Sequence, residues 1–494
     1  MAQLKELKEA RRRKLDDLRN RGVDPYPARV GEFFDIFSAT HDFEKLEKEK
    51  TPISLVGRIR LLRPQGGIIF GQVEDLSGRV QFFLNKKELA PALFDVFKSN
   101  LETGDFVRLT GVFFTTKSGE KTLNISDFQV LTKALRPLPE KRLGLQDIEK
   151  RLRRRYLDLL FNPETKELFR KKAVFWDSVR AFLKQRDFLE VEAPAFEAIP
   201  GGAEAEPFKT HYNALDQDLY LRISLELPLK KLLVGGFERV FEVGKVFRNE
   251  GMDAEHLQDY TATEFYWAYR DLEDLKKILR EMYLFVIEKT LGGLTHEYKG
   301  NKIDWSGQWP EVDYFEFFKE NTGLDLNGCS DDDLREKIKE LKLKTDLKVE
   351  KIGRGRMIDL IYKKTCRPKL IQPCFLVGHP LEISPLAKKD PANPKKVLRL
   401  QILAGSSELG NGFTELNDPL DQKERFEQQM KLREAGDKEA QIMDDDFVEA
   451  LEYGMPPAAG FGLSERLFSF LMDKSIRETT IFPAVRTKEV KSEE

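Results

Sequence analysis

Cysteine is nearly missing from this sequence: Cys329, Cys366 and Cys374 are the only three among 494 residues. They are too few and too oddly spaced for a disulfide framework or a zinc site, and a reduced, cytoplasmic compartment is the expectation. Long apolar runs are missing as well. No stretch approaches the roughly 18 residues a membrane helix needs, so no membrane partner is expected. The opening residues, MAQLKELKEARRRKLDDLRNRG, mix charge with leucine and lack the apolar run that marks a secretory signal. Charge of one sign does not dominate: 82 basic against 84 acidic residues leave a net charge of −2. That excludes a histone-like chain but not nucleic-acid binding, which needs only a local basic face. Neither GxxxxGKS/T nor a GxGxxG between strand and helix occurs, so any nucleotide must be held by another constellation. No repeat of fixed period is present.

What is there suggests two or three domains, with a hydrophobic fraction of 40% that is ample for large cores. Residues 1–50 read as an N-terminal helix and lead-in. Leu4, Leu7, Leu15 and Leu18 fall near one face of a helix over 2–21, and Arg11, Arg12, Arg13 and Lys14 crowd its middle. A solvated amphipathic helix and one resting on an RNA backbone both fit. Gly22 and Asp24-Pro25-Tyr26-Pro27 end it, and EKLEKEK at 44–50 is a charged linker.

Over 51–135 the runs ISLVGRIRLL, IIFGQVED, GRVQFFLN, DFVRLTGVFFTT and LNISDFQVL are strand-like, with turns at Gly66-Gly67, Ser77-Gly78 and Ser118-Gly119. With one helical stretch, Glu88–Ser99, they predict a small Greek-key barrel (OB-fold), as nucleic-acid binder or structural module. Residues 136–160 form a basic connector ending in RLRRRYLDL. The remainder, 161–494, shows helical periods at 164–187, 272–290 and 422–434 and strand-like runs at 219–223, 237–249, 260–270, 397–404 and 409–417. Strand and helix do not alternate strictly, so the expectation is an α+β domain on an antiparallel sheet flanked by helices. A charged helical insertion is expected near 314–351.

Three polar clusters carry chemistry. FERVFEVGKVFRNEGMDAEHLQDYTATEFYWAYRD, 237–271, is two strands around a loop with Arg248, Glu250, His256 and Tyr260. Alternation puts Glu264 and Tyr266 on one face of the second strand. Arginine offers a planar donor fork to phosphate or carboxylate, and a glutamate on an apolar strand needs a cationic partner. An internal Arg–Glu ion pair reads the same way. SSELGNGFTELND, 406–418, interleaves Glu408, Asn411 and Glu415 with glycine, which suits magnesium, an ammonium group or a charged hairpin edge. GFGLSERLFSFL ends a loop with Arg466 at the start of a helix, where it either caps or reaches a phosphate.

Together these segments resemble class II aminoacyl-tRNA synthetases. FRNEG followed by the loop, Tyr260 and Glu264 resembles motif 2, RLFSFL motif 3, and FWDSVRAFLKQRDFLEVEAP the dimer-forming motif 1. IPGGAEAEPFKTHYNALDQDLYLRISLELPLKKLLVGG and GNGFTELNDP are similar to the lysyl-tRNA synthetases in particular. The resemblance covers nearly the whole chain and implies activation of L-lysine with ATP and Mg2+, transfer to tRNA(Lys), and a homodimer. By resemblance, Arg248 holds the lysine carboxylate and the α-phosphate. Glu226 and the Gly202 backbone receive the α-amino group, Asn411 lies near the carboxylate, and Glu264, Tyr266 and Glu415 read the side-chain ammonium. Glu250 meets the adenine edge, Tyr260 stacks on it, and His256 and Arg466 face the terminal phosphates. Arg248 and Arg466 are thereby the expected catalytic pair. Glu408 and Gln401 fall on the magnesium positions, with Gln401 standing where the family has a carboxylate. Leu257 and Gln258 replace the usual Asn-Pro. Arg63, Phe70 and Gln81 match the anticodon readers. An aspartyl- or asparaginyl-tRNA synthetase shares this layout, and a silent RNA-binding paralogue would keep much of it.

Overall fold

The computed structural model describes residues 2–139, 147–251, 257–345, 352–437 and 439–485. They form two compact units that divide between Gly144 and Leu145.

In the first unit, helices α1 (Ala2–Asn20), α2 (Ile36–His41) and α3 (Phe43–Glu49) precede strands β1 (Ile53–Gln65), β2 (Ile68–Glu74) and β3 (Arg79–Asn85). Helix α4 (Pro91–Asn100) interrupts them before β4 (Phe106–Thr115) and β5 (Lys121–Thr132). The strands close a barrel in the order β1–β2–β3–β5–β4, the predicted OB-fold. Inward positions alternate along each strand, with Ile69, Val73, Val80, Phe82, Leu84, Val107 and Leu109 in the core. An irregularity in β1 between Ile59 and Leu61 lets one long strand pair with both β2 and β4. Helix α1 buries Leu15 and Leu18 but leaves Leu4 and Leu7 exposed. Arg11, in its basic run, is buried and donates to the carbonyls of Thr103, Ala134 and Arg136. That arginine anchors the fold. It does not belong to a free basic face.

The second unit begins earlier than the basic connector suggested. Residues 147–161 form α5 (Ile148–Arg153) and α6 (Arg155–Phe161), where Arg155 pairs with buried Asp158 at 2.7 Å and donates to the carbonyls of Glu478, Thr480 and Ile481. Helix α7 (Pro163–Lys184) follows, then β6 (Leu189–Glu190), β7 (Phe196–Glu197), β8 (Lys209–Tyr212), β9 (Gln217–Leu221), α8 (Glu226–Val234), β10 (Arg239–Phe247), β11 (Asp259–Ala268) and α9 (Leu272–Leu291). Next come β12 (Thr295–Tyr298), β13 (Asn301–Asp304), β14 (Glu311–Asp313), α10 (Tyr314–Thr322), α11 (Asp331–Glu340), α12 (Arg354–Ile361) and β15 (Cys374–Val377). The unit ends with β16 (Lys389–Asp390), β17 (Asn393–Val397), β18 (Arg399–Ala404), β19 (Ser407–Thr414), α13 (Pro419–Glu434), α14 (Asp445–Glu452), β20 (Ala458–Ser464) and α15 (Arg466–Leu471).

One sheet organises this unit, in the order β14–β15–β18–β19–β20–β11–β10–β6. It is antiparallel except at its edges, β14/β15 and β10/β6. Phe175, Val179 and Phe182 of α7 and Leu275, Leu279, Met282 and Val286 of α9 recur at helical spacing. They meet Phe241, Phe265, Phe461 and Leu463 on one face of the sheet, each such burial contributing roughly 1.5–3 kcal/mol. On the opposite face α8 and α14 cover only one end, through Leu229, Leu233, Phe447 and Val448. The rest of that face opens into the cavity described below.

The glycine-rich run before Arg466, expected as a loop, is instead β20, a central strand between β19 and β11. The insertion has its own small core, with Tyr314, Phe318, Leu334, Ile338, Met357 and Ile361 buried together. Its exposed charge belongs to α11, which opens with a Ser330–Asp333 capping box. Residues 346–351 of the insertion lie outside the described residues.

Candidate active site

The open face of the sheet carries a cavity of ≈ 430 Å³. Cross-strand register builds its floor. Asn411 of β19 lies opposite Gly462 of β20, which lies opposite Glu264 of β11. One step along, Phe413 lies opposite Gly460, and Gly460 opposite Tyr266. Residues paired in this way share a face, so Glu264, Tyr266 and Asn411 converge. The glycines make the room: a Cβ on Gly460 would lie 2.2 Å from Glu415 Oε1 and 2.4 Å from the Tyr266 ring. That explains why a central strand reads like a loop.

Glu264 is held by three donors. Ser224 Oγ reaches Oε1 at 2.9 Å, the Leu225 N–H reaches the same oxygen at 3.0 Å, and the Tyr266 hydroxyl reaches Oε2 at 3.0 Å. Burial pushes its carboxyl above the usual range, and these hydrogen bonds oppose the shift. An internal Arg–Glu pair does exist one strand away, where Arg222 meets Glu242 at 2.7 Å. Glu226 opens α8 and also lines the cavity, pushed up to about 7 by burial against the pull of Lys230. Glu415, following β19, is 1% exposed, and burial pushes it well above its ordinary value. Gly202 sits at φ +84°, where a Cβ would lie 2.9 Å from Glu226 Cβ, so its backbone passes directly over this carboxylate.

Cationic groups line the other walls. Arg248 follows β10, donates through Nε to the Ile223 carbonyl at 3.3 Å, and lies 5.5 Å from the Tyr260 ring centroid. Glu250, Glu408 and Arg466 line the same cavity. The Arg466 backbone N–H donates to Ser464 Oγ at 3.3 Å, tying the start of α15 to the end of β20. Gln258, in the place of the usual proline, donates to the carbonyls of Glu250 and Gly251 at 3.3 Å and thereby braces the loop. Gln401 lies opposite Asn411 but borders an adjoining cavity of ≈ 610 Å³, which shares Glu408, Glu250 and Arg399 with the first. His256 lies outside the described residues. Of the residues expected in the catalytic unit, Gly202, Glu226, Arg248, Glu250, Tyr260, Glu264, Tyr266, Glu408, Asn411, Glu415 and Arg466 thus surround one space.

Sequence reasoning missed three contributors. Lys230 is completely buried and ion-paired with both Glu226, at 2.5 Å, and Glu415. Its signal was present: a lysine four residues after a glutamate in an otherwise apolar helical run. Arg399 of β18 donates to Asn411 Oδ1 at 2.7 Å and fixes that amide. Ser224 links Glu226 to Glu264, since it also accepts from the Glu226 N–H at 3.1 Å. Arg399 and Ser224 left no signal beyond residue type.

No group of three or more His, Cys, Asp or Glu side chains arranged to hold a metal occurs among the described residues. Glu408, beside neutral Gln401, suits a magnesium ion that draws most of its ligands from nucleotide phosphates and water.

On the barrel, Arg63 lies opposite Phe70, and Phe70 opposite Phe83. Gln81 lies two residues from Phe83 on that outward face and donates to Thr122 Oγ1 at 2.9 Å. Phe70, Phe83 and Phe114 form a half-buried aromatic row with ring centroids 4.8 and 6.0 Å apart. Phe83, Phe114 and Thr122 were not anticipated.

The profile of the tRNA synthetases class II (D, K and N) matches residues 147–486, and that of the OB-fold nucleic acid binding domain matches residues 53–131. The chain belongs to the class II tRNA synthetases. Within that family it is 43% identical to a lysine–tRNA ligase of Roseiflexus castenholzii, over 99% of this chain and 100% of that one. It is 41% identical to the lysine–tRNA ligases of Bacillus subtilis, over 97% of each chain, and of Halalkalibacterium halodurans, over 98% of each.

Proposed function

We propose that the protein is a lysine–tRNA ligase, which joins L-lysine to ATP as an adenylate, releases pyrophosphate, and passes lysine to the 3′ end of its tRNA. One observation carries the reading: Glu226, Glu264 and Glu415 gather at the foot of a cavity whose walls hold Arg248, Arg399 and Arg466. Such a site suits a substrate with ammonium groups at both ends and a carboxylate to activate. An aspartate- or asparagine-specific site would need cationic or amide groups where these carboxylates stand. A substrate lacking the side-chain ammonium leaves buried carboxylates unmatched, a penalty that discriminates strongly. The full-length likeness to lysine–tRNA ligases supports the same conclusion.

In this reading Glu264, Tyr266 and Glu415 receive the side-chain ammonium, and Glu226 with the Gly202 backbone receives the α-amino group. Arg248 and Asn411 orient the carboxylate. The carboxylate is itself the nucleophile. It attacks the α-phosphorus of ATP, the bond to the bridging oxygen breaks, and pyrophosphate departs. Arg248 balances charge on the α-phosphate and Arg466 on the leaving phosphates, while Tyr260 and Glu250 hold the adenine. Glu408 and the amide oxygen of Gln401 would hold magnesium, which neutralises phosphate charge when bound with ATP. The terminal 3′-hydroxyl of tRNA then attacks the lysyl carbonyl and AMP leaves. Arg63, Phe70 and Gln81 read anticodon bases.

No helix among the described residues is long and apolar enough to cross a membrane, and the reading places the enzyme in the cytoplasm. A homodimer through α7 and β6 is part of it, supported by exposed Val174 and Leu189 on those elements. Pyrophosphate exchange into ATP, run with each standard amino acid in turn, tests the function. Exchange should depend on lysine, and dependence on another amino acid in its place would overturn the assignment.

A further inference from the structure

Lys230 has no side-chain exposure, and its ammonium sits between Glu226 of its own helix and Glu415 beyond β19. It does not line the cavity that those carboxylates line, so it lies behind them. Aromatic rings surround it: Phe413 of β19 at 5.2 Å, Tyr266 of β11 at 5.9 Å and Phe447 of α14 at 6.0 Å from their centroids. The remaining charged neighbours are Glu264, which acts on both Glu226 and Glu415, and Arg399, which acts on Glu226. On α14, Asp446 is taken up by Lys231 on the outer side of α8.

We propose that Lys230 is a specificity-determining positioning residue, a built-in counter-ion that keeps Glu226 and Glu415 ionised and aimed into the cavity. This rests on the reading of the cavity as the lysine site. Three buried carboxylates against one buried ammonium leave two negative charges, which match the two ammonium groups of free lysine. Without Lys230 the cavity would hold three, and closely packed buried carboxylates relieve such an excess by taking up protons. A protonated carboxyl no longer distinguishes lysine from a neutral side chain of the same shape. Burial alone would strip the proton from Lys230, yet Glu226 and Glu415 hold its pKa above the ordinary value. The cation is therefore permanent. Substrate approaches the carboxylates from the cavity side and Lys230 from the other, so they do not compete for one position.

Calorimetry with the full chain at about pH 8, in two buffers of different ionisation enthalpy, tests this by counting protons released as L-lysine binds. Wild type should release less than about half a proton. Lys230→Met should weaken lysine by about 100-fold while L-norleucine and ATP change little, and proton release should rise towards one. Lys230→Gln, which keeps a polar group but not the charge, should behave alike. Unchanged lysine affinity and proton release in either folded variant overturns the proposal. If neither variant folds, the wild-type measurement decides, because release of a whole proton or more shows that Lys230 does not keep the pair ionised. Wild-type protein that fails to bind lysine would instead overturn the functional reading.

Discussion

Glu226, Glu264 and Glu415 share a pocket but are held in different ways. Glu264 is fixed by protein donors on both oxygens, so its geometry precedes any ligand. In Glu264→Gln the amide nitrogen must face either the Ser224 and Leu225 donors or the Tyr266 hydroxyl, and the charge is gone. We expect lysine affinity to fall by about 100-fold, since hydrogen bonds to charged groups contribute about 1.5–3 kcal/mol, with ATP affinity nearly unchanged. Calorimetry reads both, and unaltered lysine affinity would remove Glu264 from the pocket. Glu226 adds a pH dependence. Its carboxyl is pushed up to about 7 by burial, so below that pH it is largely neutral and cannot pair with an ammonium group. The KM for lysine should therefore fall as pH rises through about 7, while the KM for ATP stays flat across the same range. Parallel profiles for the two substrates would place the titrating group elsewhere.

Elements explain which of these residues were legible. Alternation along β11 placed Glu264 and Tyr266 on one face, because a strand has a strict period of two. The long helices α7 and α9 followed from their apolar spacing. Strand β20 was not legible, since Gly460 and Gly462 serve the room their neighbours need, and that need exists only after β11 and β19 lie beside them. Lys230 was hidden for a similar reason: its partner Glu415 lies 185 positions further on. The pairing of β18 with β19 makes a prediction of its own. It sets Gln401 opposite Asn411, and Glu408 borders the same adjoining cavity as Gln401. A neutral amide oxygen is a weaker ligand for a hard cation than a carboxylate. Activity should still require magnesium, and Gln401→Glu should lower the concentration needed for half-maximal pyrophosphate exchange. Glu408→Gln should nearly abolish exchange. Magnesium titrations that superimpose for wild type and Gln401→Glu would show that another group has taken the role.

At the scale of the whole chain, two units with separate cores divide the labour. The barrel closes on Ile69, Val73, Phe82, Val107 and Leu109, whereas the cavity is built wholly from residues of the second unit. Both architectures were legible: clustered strand runs with turn residues between them announce a small barrel, and a non-alternating order of helices and strands announces an antiparallel α+β sheet. The row Phe70–Phe83–Phe114 emerges only from the register of β2, β3 and β4 with β5. A half-exposed aromatic row on an OB-fold is a platform on which bases stack, each stacking contributing about 1–3 kcal/mol. Phe70 is only partly buried and points away from the barrel core, so Phe70→Ala should leave the fold intact. It should raise the KM for tRNA in aminoacylation by about tenfold or more, while lysine-dependent pyrophosphate exchange, which needs no tRNA, stays within about twofold. The division of the chain makes the comparison informative. A variant that loses exchange and charging equally would show that Phe70 supports folding, and one that loses neither would move base recognition to another face of the barrel.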